Sequence, residues 1–577
     1  MRRIGRKKKA KPLTQKVPAY TLIPAVGICV FVLLWAVWAV PTTIPLSVEE
    51  RWYVPNTAGA VTDLCLRGRE ILLFVTAVLL ILYWLGERIF PDAPPKARLL
   101  NDKSARLPLI LCGAYLLFAA ASCIFAEYKS TCFLGIASEN EGLASTIGCV
   151  VLLLAAFSFF TERNLEKTLG RAVFALSGVI AVMFIIERAS LPLMQLFFGY
   201  TDERAGTALL FGNSAGCGAV CAMLFPTAMA FTLSESRTVL KLIRGAAAGC
   251  LLDVVVCSFS SAAFYGALLG GTVLAALCFL KKQCSAKNAA VSAAAAVLPI
   301  AVLFLCDISA AGYLGADLRN TGTYSPEDSF RLEEISADGD SLHLKGADGE
   351  FTIVLEGEIA IFLDGQQNEL ARADSGQVQV SEHFSAEIGE RMMVISLGYD
   401  EPIAFETSGG RFQYIGLNGY LDVISESAFP ELSEYYRFGT GRGYIWLNTL
   451  PLLKRCAIIG KGAGQFAFYF PQNDVVGMLN THGTTAILTD KPHCMYLGIA
   501  FSYGIPALLV FVALIFVVLR RGVVGKSGVP LACSGFIAAI SAALLMAIAN
   551  DSSPVFSPLV WVFSGAILAV CGTKQEA

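Results

Sequence analysis

The sequence predicts an all-α polytopic membrane protein of about 12 transmembrane helices, with a β-rich domain inserted on the extracytoplasmic side. Three observations carry this. The 577 residues are 55% hydrophobic and only 16% charged, with a mean hydropathy of +0.61, too apolar for a soluble chain of this size. Apolar runs of spanning length recur along the chain. One long segment between the ninth and tenth runs switches instead to the alternating pattern of strands.

Taken in order, residues 1–19 open with the basic run MRRIGRKKKAKPLTQK. The next stretch, Tyr20 to Val40, is long enough to span a bilayer and has no clear cleavage site, so it reads as a first transmembrane helix rather than a secretory signal. Apolar runs then fall near 20–41, 70–87, 108–126, 143–161, 170–187, 207–232, 245–257, 263–281, 288–306, 495–520, 529–549 and 556–572. The run at 245–257 is short for a span. Lys and Arg concentrate in the segments 88–107, 233–244, 281–287 and 520–526, and thin out in 42–69, 127–142, 188–206 and 550–555. The positive-inside rule then places both termini, 1–19 and 573–577, in the cytoplasm of a cell-membrane protein, and the 307–494 loop outside.

Within that loop, 321–426 alternates apolar and polar residues. Its Asp-Gly pairs at Asp338-Gly339, Asp348-Gly349 and Asp364-Gly365 are hairpin signals. It reads as a small β-domain, with 427–494 beyond it as a separate segment. His343 and His383 fall in the β-domain without a ligand cluster and read as solvated strand residues. The net charge of −2 gives no case for nucleic acid as a partner. The 17 cysteines are scattered, mostly in apolar runs, with no CxxC and no zinc spacing. Only Cys456 and Cys494 lie near the stretch that carries the chemistry, where a disulfide between them stays open.

That stretch runs from Gly439 to Pro506. It holds GTGRGYIW, IIGKGAGQF and DKPHCMYLGIAFSYGIP. An arginine is a permanently charged fork suited to phosphate oxygens. A histidine exchanges a proton near neutral pH. A glycine run lets backbone approach a ligand. Arg442, His493 and the turn Gly460, Gly462, Gly464 therefore point to anionic-substrate chemistry at a membrane face, with a plain turn as the equal alternative for the glycines. The turn lacks the G-K-[ST] ending of a P-loop. His482 lies in MLNTHGTTA, which reads as a mobile loop, and is not selected.

The order G-R-G-Y-I-W, I-I-G-K-G-A-G-Q-F, D-K-P-H-x-x-Y-L and G-I-P resembles the O-antigen ligase and polymerase superfamily. So do FLGIASENEGL (Phe133 to Leu143), RAGTALLFGNSAGCGAV (Arg204 to Val220) and NDSSPVFSPLVWVFSGAI (Asn550 to Ile567). The resemblance covers most of the chain except the β-insert. It implies a GT-C-like membrane glycosyltransferase that moves a glycan from a polyprenyl-diphosphate carrier to an acceptor, with inversion at the anomeric carbon and no cofactor. The acceptor is a glycan, a lipid or a protein side chain. Arg442 and His493 lie 493 − 442 = 51 residues apart, as in the family.

By that resemblance Arg442 and Arg204 bind the diphosphate, and His493 acts on the acceptor hydroxyl. The chain departs from the family at Cys494, where Asn is usual, and at 258–264, where SFSSAAF lacks an arginine. One phosphate-binding charge is then either absent or supplied elsewhere, for example by Arg437 or Lys491. Helix capping, or an ion pair with Glu431 or Glu434, is the plain alternative for Arg442, and an ion pair with Asp202 or Glu203 for Arg204. Glu139 and Glu141 read as surface-solvated. The one Asp-x-Asp, Asp338-Gly339-Asp340, falls in a β-turn of the insert, so no metal is expected. A transporter or flippase of lipid-linked sugars is the competing class. It calls for charges in mid-span, where Asp253 is the main exception to an otherwise apolar pattern.

Overall fold

The computed structural model describes residues 19–53, 59–89, 103–189, 193–199, 206–309, 329–417, 419–524 and 530–571. The basic N-terminal run, Arg204 and the 573–577 tail lie outside them. The chain folds as a helical bundle with a β-rich region set into it. Helices α1 (Ala19–Val37), α2 (Leu66–Ile89), α3 (Arg106–Ile124), α4 (Leu143–Phe159), α5 (Arg171–Arg188), α6 (Ser214–Ser234), α7 (Thr238–Cys257), α8 (Ser261–Leu280) and α9 (Ala286–Ser309) precede the insert. Helices α10 (Phe438–Arg455), α11 (Val475–His482), α12 (Met495–Tyr503), α13 (Ile505–Val524), α14 (Leu531–Met546) and α15 (Ser557–Cys571) come after it.

Among the described residues, seven helical segments are long and apolar enough to cross a membrane: 66–86, 103–124, 162–188, 214–234, 261–280, 286–305 and 505–524. Four shorter apolar helices, at 22–37, 143–159, 531–546 and 557–571, pack among them. The bundle is layered. In α15 every residue from Ser557 to Val570 is buried, and α4, α6 and α14 are buried along nearly their whole length. Small residues let these inner helices approach closely. Gly565 lies against the Leu153 carbonyl, and Gly535 against Ala230, where a methyl group would overlap its neighbour. The peripheral helices bury one side and turn the other outward. Leu117, Leu268, Phe279 and Phe516 are all at least 60 % exposed. An outward face of this composition is what a hydrocarbon surrounding accepts and water does not.

Two helices differ from the sequence expectation. The short run at 245–257 is the C-terminal part of a 20-residue helix, α7, that begins at Thr238 and takes in Lys241 and Arg244. The single run at 495–520 is divided. Gly504 adopts φ +95°, its neighbourhood occupied by the Ile458 carbonyl, and α12 ends there before α13 begins. A residue with a side chain does not fit at that conformation.

A two-stranded hairpin, β1 (Thr42–Pro45) with β2 (Ala60–Asp63), joins α1 to α2. The expected insert is present as two antiparallel meanders. One is β3 (Glu334–Asp338), β4 (Ser341–Gly346), β5 (Gly349–Glu356), β6 (Ile359–Asp364) and β7 (Glu369–Ala373) side by side in that order; the other sets β8 (Gly376–Gln379), β9 (Ser385–Ile388), β10 (Met392–Ser396), β11 (Ile403–Glu406), β12 (Gln413–Ile415) and β13 (Leu421–Asp422) side by side in chain order. The three Asp-Gly pairs sit at the β3–β4, β4–β5 and β6–β7 turns. The sheets share one core, in which Phe351 and Phe362 of the first meet Phe384 beside β9 at 5.4 and 6.4 Å. His343 is an exposed strand residue, as expected, while His383 is half-buried. His343 Nδ1 contacts Thr352 Oγ1 at 3.0 Å, and His383 Nδ1 pairs with Asp348 at 3.0 Å. Val475 and Leu479 of α11 belong to the same core, so the insert is built partly from the segment C-terminal to it.

Candidate functional site

Three loops meet at one end of the inner helices. The first, 133–143, doubles back tightly. Gly135 lies against the Glu141 backbone and Gly142 against the Phe133 carbonyl, and the Ala144 amide donates to Phe133 O at 3.0 Å. Two buried charged groups pin it. The Ala137 amide donates to Glu50 at 2.7 Å, and Arg67 donates to the Leu134 carbonyl and to Glu70, both at 2.8 Å. The loop aims Glu139 and Glu141 inward. Glu139 is only 8 % exposed and Glu141 accepts from Ser552 Oγ at 2.9 Å, so the expectation of surface solvation is wrong for both. Burial raises both carboxyls above their ordinary range, with Lys491 opposing.

The second loop carries Lys491 and His493. His493 holds a left-handed backbone, φ +48°, a conformation a non-glycine residue keeps only when its surroundings enforce it. The enforcing partner is Asp551 on the third loop, between α14 and α15. Asp551 accepts from the Cys494 amide at 3.1 Å, and its other oxygen meets His493 Nδ1 at 2.9 Å. Nδ1 is thus engaged and Nε2 is the nitrogen available to an incoming group. The His493 side chain stays 43 % exposed while Asp551 is 14 % exposed. Burial depresses the imidazole pKa, but the hydrogen bond and charge of Asp551 outweigh it, with Asp490 adding and Arg442 opposing. The net shift is upward. Burial likewise pulls Lys491 down, and Glu139, Asp490, Glu141 and Asp551 more than offset it, so the ammonium is retained.

Arg442 reaches the same loop from the other side. Its Nε donates to the Ala549 carbonyl at 2.8 Å. The three residues before it, Gly439, Thr440 and Gly441, are all left-handed, and the helix is regular only from Arg442 onward. Nη1 of Arg442 donates back to Gly439 O and to Thr440 Oγ1. These bonds run to neutral acceptors, not to Glu431 or Glu434. Burial lowers the guanidinium pKa and Asp551 raises it, with a net lowering; arginine stays charged regardless.

Glu139, Glu141, Lys491, Asp551 and Ser552 rim a cavity whose body is apolar, with Tyr115, Phe511, Val560 and Trp561 along it. It encloses about 100 Å³, room for roughly three waters.

The other expected site residues are more dispersed. The glycine turn packs rather than presents amides. The Lys461 and Gly462 amides donate to the Phe501 and Ser502 carbonyls at 2.9 Å, beside the α12–α13 break, and Gly460 lies against Ser502. Gly464 alone of the three glycines lines the cavity. Arg437 lines a different and larger cavity, about 920 Å³, between the insert and Asp474. Arg204 is outside the described residues, although Thr207 in the same motif is placed, its amide bonded to the Cys257 carbonyl. Cys456 and Cys494 are both free thiols. His482 is not in a mobile loop. It ends helix α11, capped by left-handed Gly483, and packs on Gly441 and on Tyr444. Burial lowers its pKa, and His493 adds to the lowering. Among the described residues no three His, Cys, Asp or Glu side chains converge as metal ligands. Asp551 was missed at the sequence level; it sits in NDSSPVFSP, whose position after a span was visible but whose pairing with His493 was not.

No protein-family model matches the chain, and no curated protein matches it at a significant level.

Proposed function

We propose that the chain is a twelve-span membrane glycosyltransferase of the O-antigen ligase-like type. In this reading it transfers a glycan from a polyprenyl-diphosphate carrier to an acceptor at the outer face of the cell membrane, in the assembly of a surface polysaccharide or glycoconjugate. The twelve spans are the seven long helical segments, the four shorter ones and α7. One observation carries the reading. Residues remote in sequence, Arg442, Lys491, His493 and Asp551, gather at one loop junction, and of these Lys491 and Asp551 line a cavity with an apolar body.

The groups themselves dictate the chemistry. An acceptor hydroxyl hydrogen-bonded to His493 Nε2 attacks the anomeric carbon. The bond from that carbon to the diphosphate oxygen breaks, and the hydroxyl proton passes to His493. The leaving diphosphate gains negative charge, which Arg442 and Lys491 stabilise more strongly in a water-poor setting. Asp551 fixes the imidazole orientation and stabilises its protonated form. The two cations take the place that a divalent ion holds in other glycosyl transfers.

The test is transfer in proteoliposomes with lipid-diphosphate-linked glycan from the native host. Wild type releases polyprenyl diphosphate without added metal, and chelation leaves the rate unchanged. His493→Ala lowers the rate by roughly 10²–10⁴-fold. Movement of labelled lipid across the bilayer with no glycosidic bond broken would assign the chain to transport instead. The mass of the product distinguishes a ligase from a polymerase.

A further inference from the structure

A third hollow adjoins segment 464–468, which also borders the cavity rimmed by Lys491 and Asp551. Gly464 and Phe466 line that cavity, while Phe468 lines the hollow. It encloses about 300 Å³ and is lined by Val48, Glu49, Trp52, Tyr53, Tyr128 and Phe468. That volume is at the lower end of the roughly 300–1,000 Å³ of small-molecule sites. Four of the six side chains are aromatic, and they come from three distant segments. Tyr128 and Tyr53 lean on Phe468, at 4.8 and 5.6 Å between ring centres. Trp52 is 54 % exposed and meets Tyr420 of the β-insert at 4.4 Å.

The arrangement is held from behind. Gln465 is fully buried and clamps Tyr128, accepting from its amide and donating to its carbonyl at 2.7 Å. Among the described residues lining the hollow, Glu49 is the charged side chain, and a cation stands further out, Lys461 Nζ lying 4.5 Å from the centre of the Tyr469 ring. Glu49 accepts from Ser130 Oγ at 3.2 Å, and Glu127 accepts from Tyr469 at 2.7 Å. Burial, then the charge of Glu127, keeps the Tyr128 phenol above its ordinary pKa; burial, then Tyr128 and Asp422, do so for Tyr53. Both remain hydroxyl donors. Among the described residues lining the hollow there is no cation.

From this geometry we infer that the hollow is a binding subsite for an uncharged sugar chain. The apolar face of a pyranose ring stacks on Trp52 or Phe468, and Glu49 with the two phenols takes its hydroxyls. Glu49, the charged side chain among the described residues lining the hollow, disfavours a phosphate or an anionic lipid headgroup. The subsite would grip the chain a few residues away from the bond being made. The inference extends the glycan reading of the main cavity, but its test needs no transfer.

The probes are neutral tetrasaccharides built from glucose, galactose, N-acetylglucosamine and N-acetylgalactosamine, with tetragalacturonate as the anionic counterpart. Binding to the full-length protein in detergent is monitored by saturation-transfer NMR. At least one neutral probe binds, tetragalacturonate does not, and His493→Ala binds as wild type does. Trp52→Ala, a surface change, and Phe468→Ala each weaken binding by about three- to tenfold. In nanodiscs, brominated lipids leave the fluorescence difference between wild type and Trp52→Phe unchanged. The proposal is overturned if no neutral probe binds or if both variants bind as wild type does. It is also overturned if brominated lipid quenches Trp52, which would make the rings an interfacial belt. Failure of transfer with binding intact would overturn the enzyme reading alone.

Discussion

At the scale of single residues, the decisive contact is His493 Nδ1 to Asp551 at 2.9 Å. A base works only after losing its proton, and Asp551 helps hold the His493 pKa above the ordinary value of 6.5. Activity should therefore rise with pH through a limb above that value. Asp551→Asn removes the charge that favours the imidazolium, so the limb moves to lower pH while the plateau rate falls. A pH–rate profile of the two proteins checks this; a limb that stays in place would remove Asp551 from the role. Arginine and histidine beside a membrane helix are conspicuous in a sequence, and the structure brings Arg442 and His493 to one loop. Asp551, Glu139 and Glu141 were not conspicuous, because a carboxylate in a loop reads as solvated until a distant segment buries it. His482 was misread for a related reason. Its flanking glycine and threonines look like a loop, yet Gly483 is the left-handed cap of a helix.

At the scale of elements, the turn Gly439–Thr440–Gly441 sets where Arg442 points. Three consecutive left-handed residues are uncommon, and Thr440 holds φ +60° against its steric preference. Gly441 has a second constraint, since a methyl group there would overlap the His482 ring. Gly441→Ala should therefore displace Arg442 or α11. It costs about 1 kcal/mol or more from the backbone alone, and it should lower transfer even in protein that remains monodisperse. Thermal unfolding and the transfer rate measured together check this. Helix α12 shows the limit of reading elements from hydropathy. The run at 495–520 is apolar enough to read as one span, although Gly504 and Pro506 within it are the local signals of the division. The break exists because the 457–462 strap bonds to the Phe501 and Ser502 carbonyls, and its Ala457 carbonyl accepts from the Ile505 amide. Those are long-range contacts that no local pattern encodes. The strand meanders were legible, since period-two alternation and Asp-Gly turns are local signals.

At the scale of the whole molecule, the question is whether the β-insert is a spacer or part of the machine. Helix α11 answers structurally. Its Val475 and Leu479 lie in the insert's core, while Met478 lies in the core of Tyr436, Tyr444 and Phe501. Asn480 bonds to Leu332 and to Tyr399, and the last residue of α11, His482, packs on the turn before Arg442. A spacer would fold apart from the site. Here the insert's core and the arginine turn share one helix, so loosening one loosens the other. Leu479→Ala, fully buried in the insert's core, should cost roughly 2–5 kcal/mol. It should also lower glycan transfer, although it touches no substrate. Excision of the whole insert should strand Val475 and Leu479 in water and abolish transfer by the same route. The two changes separate the readings. A spacer predicts that Leu479→Ala raises protease sensitivity of the insert while transfer is unaffected. A shared helix predicts that proteolysis and activity change together, because the residue that seals the sheet also holds the element behind Arg442.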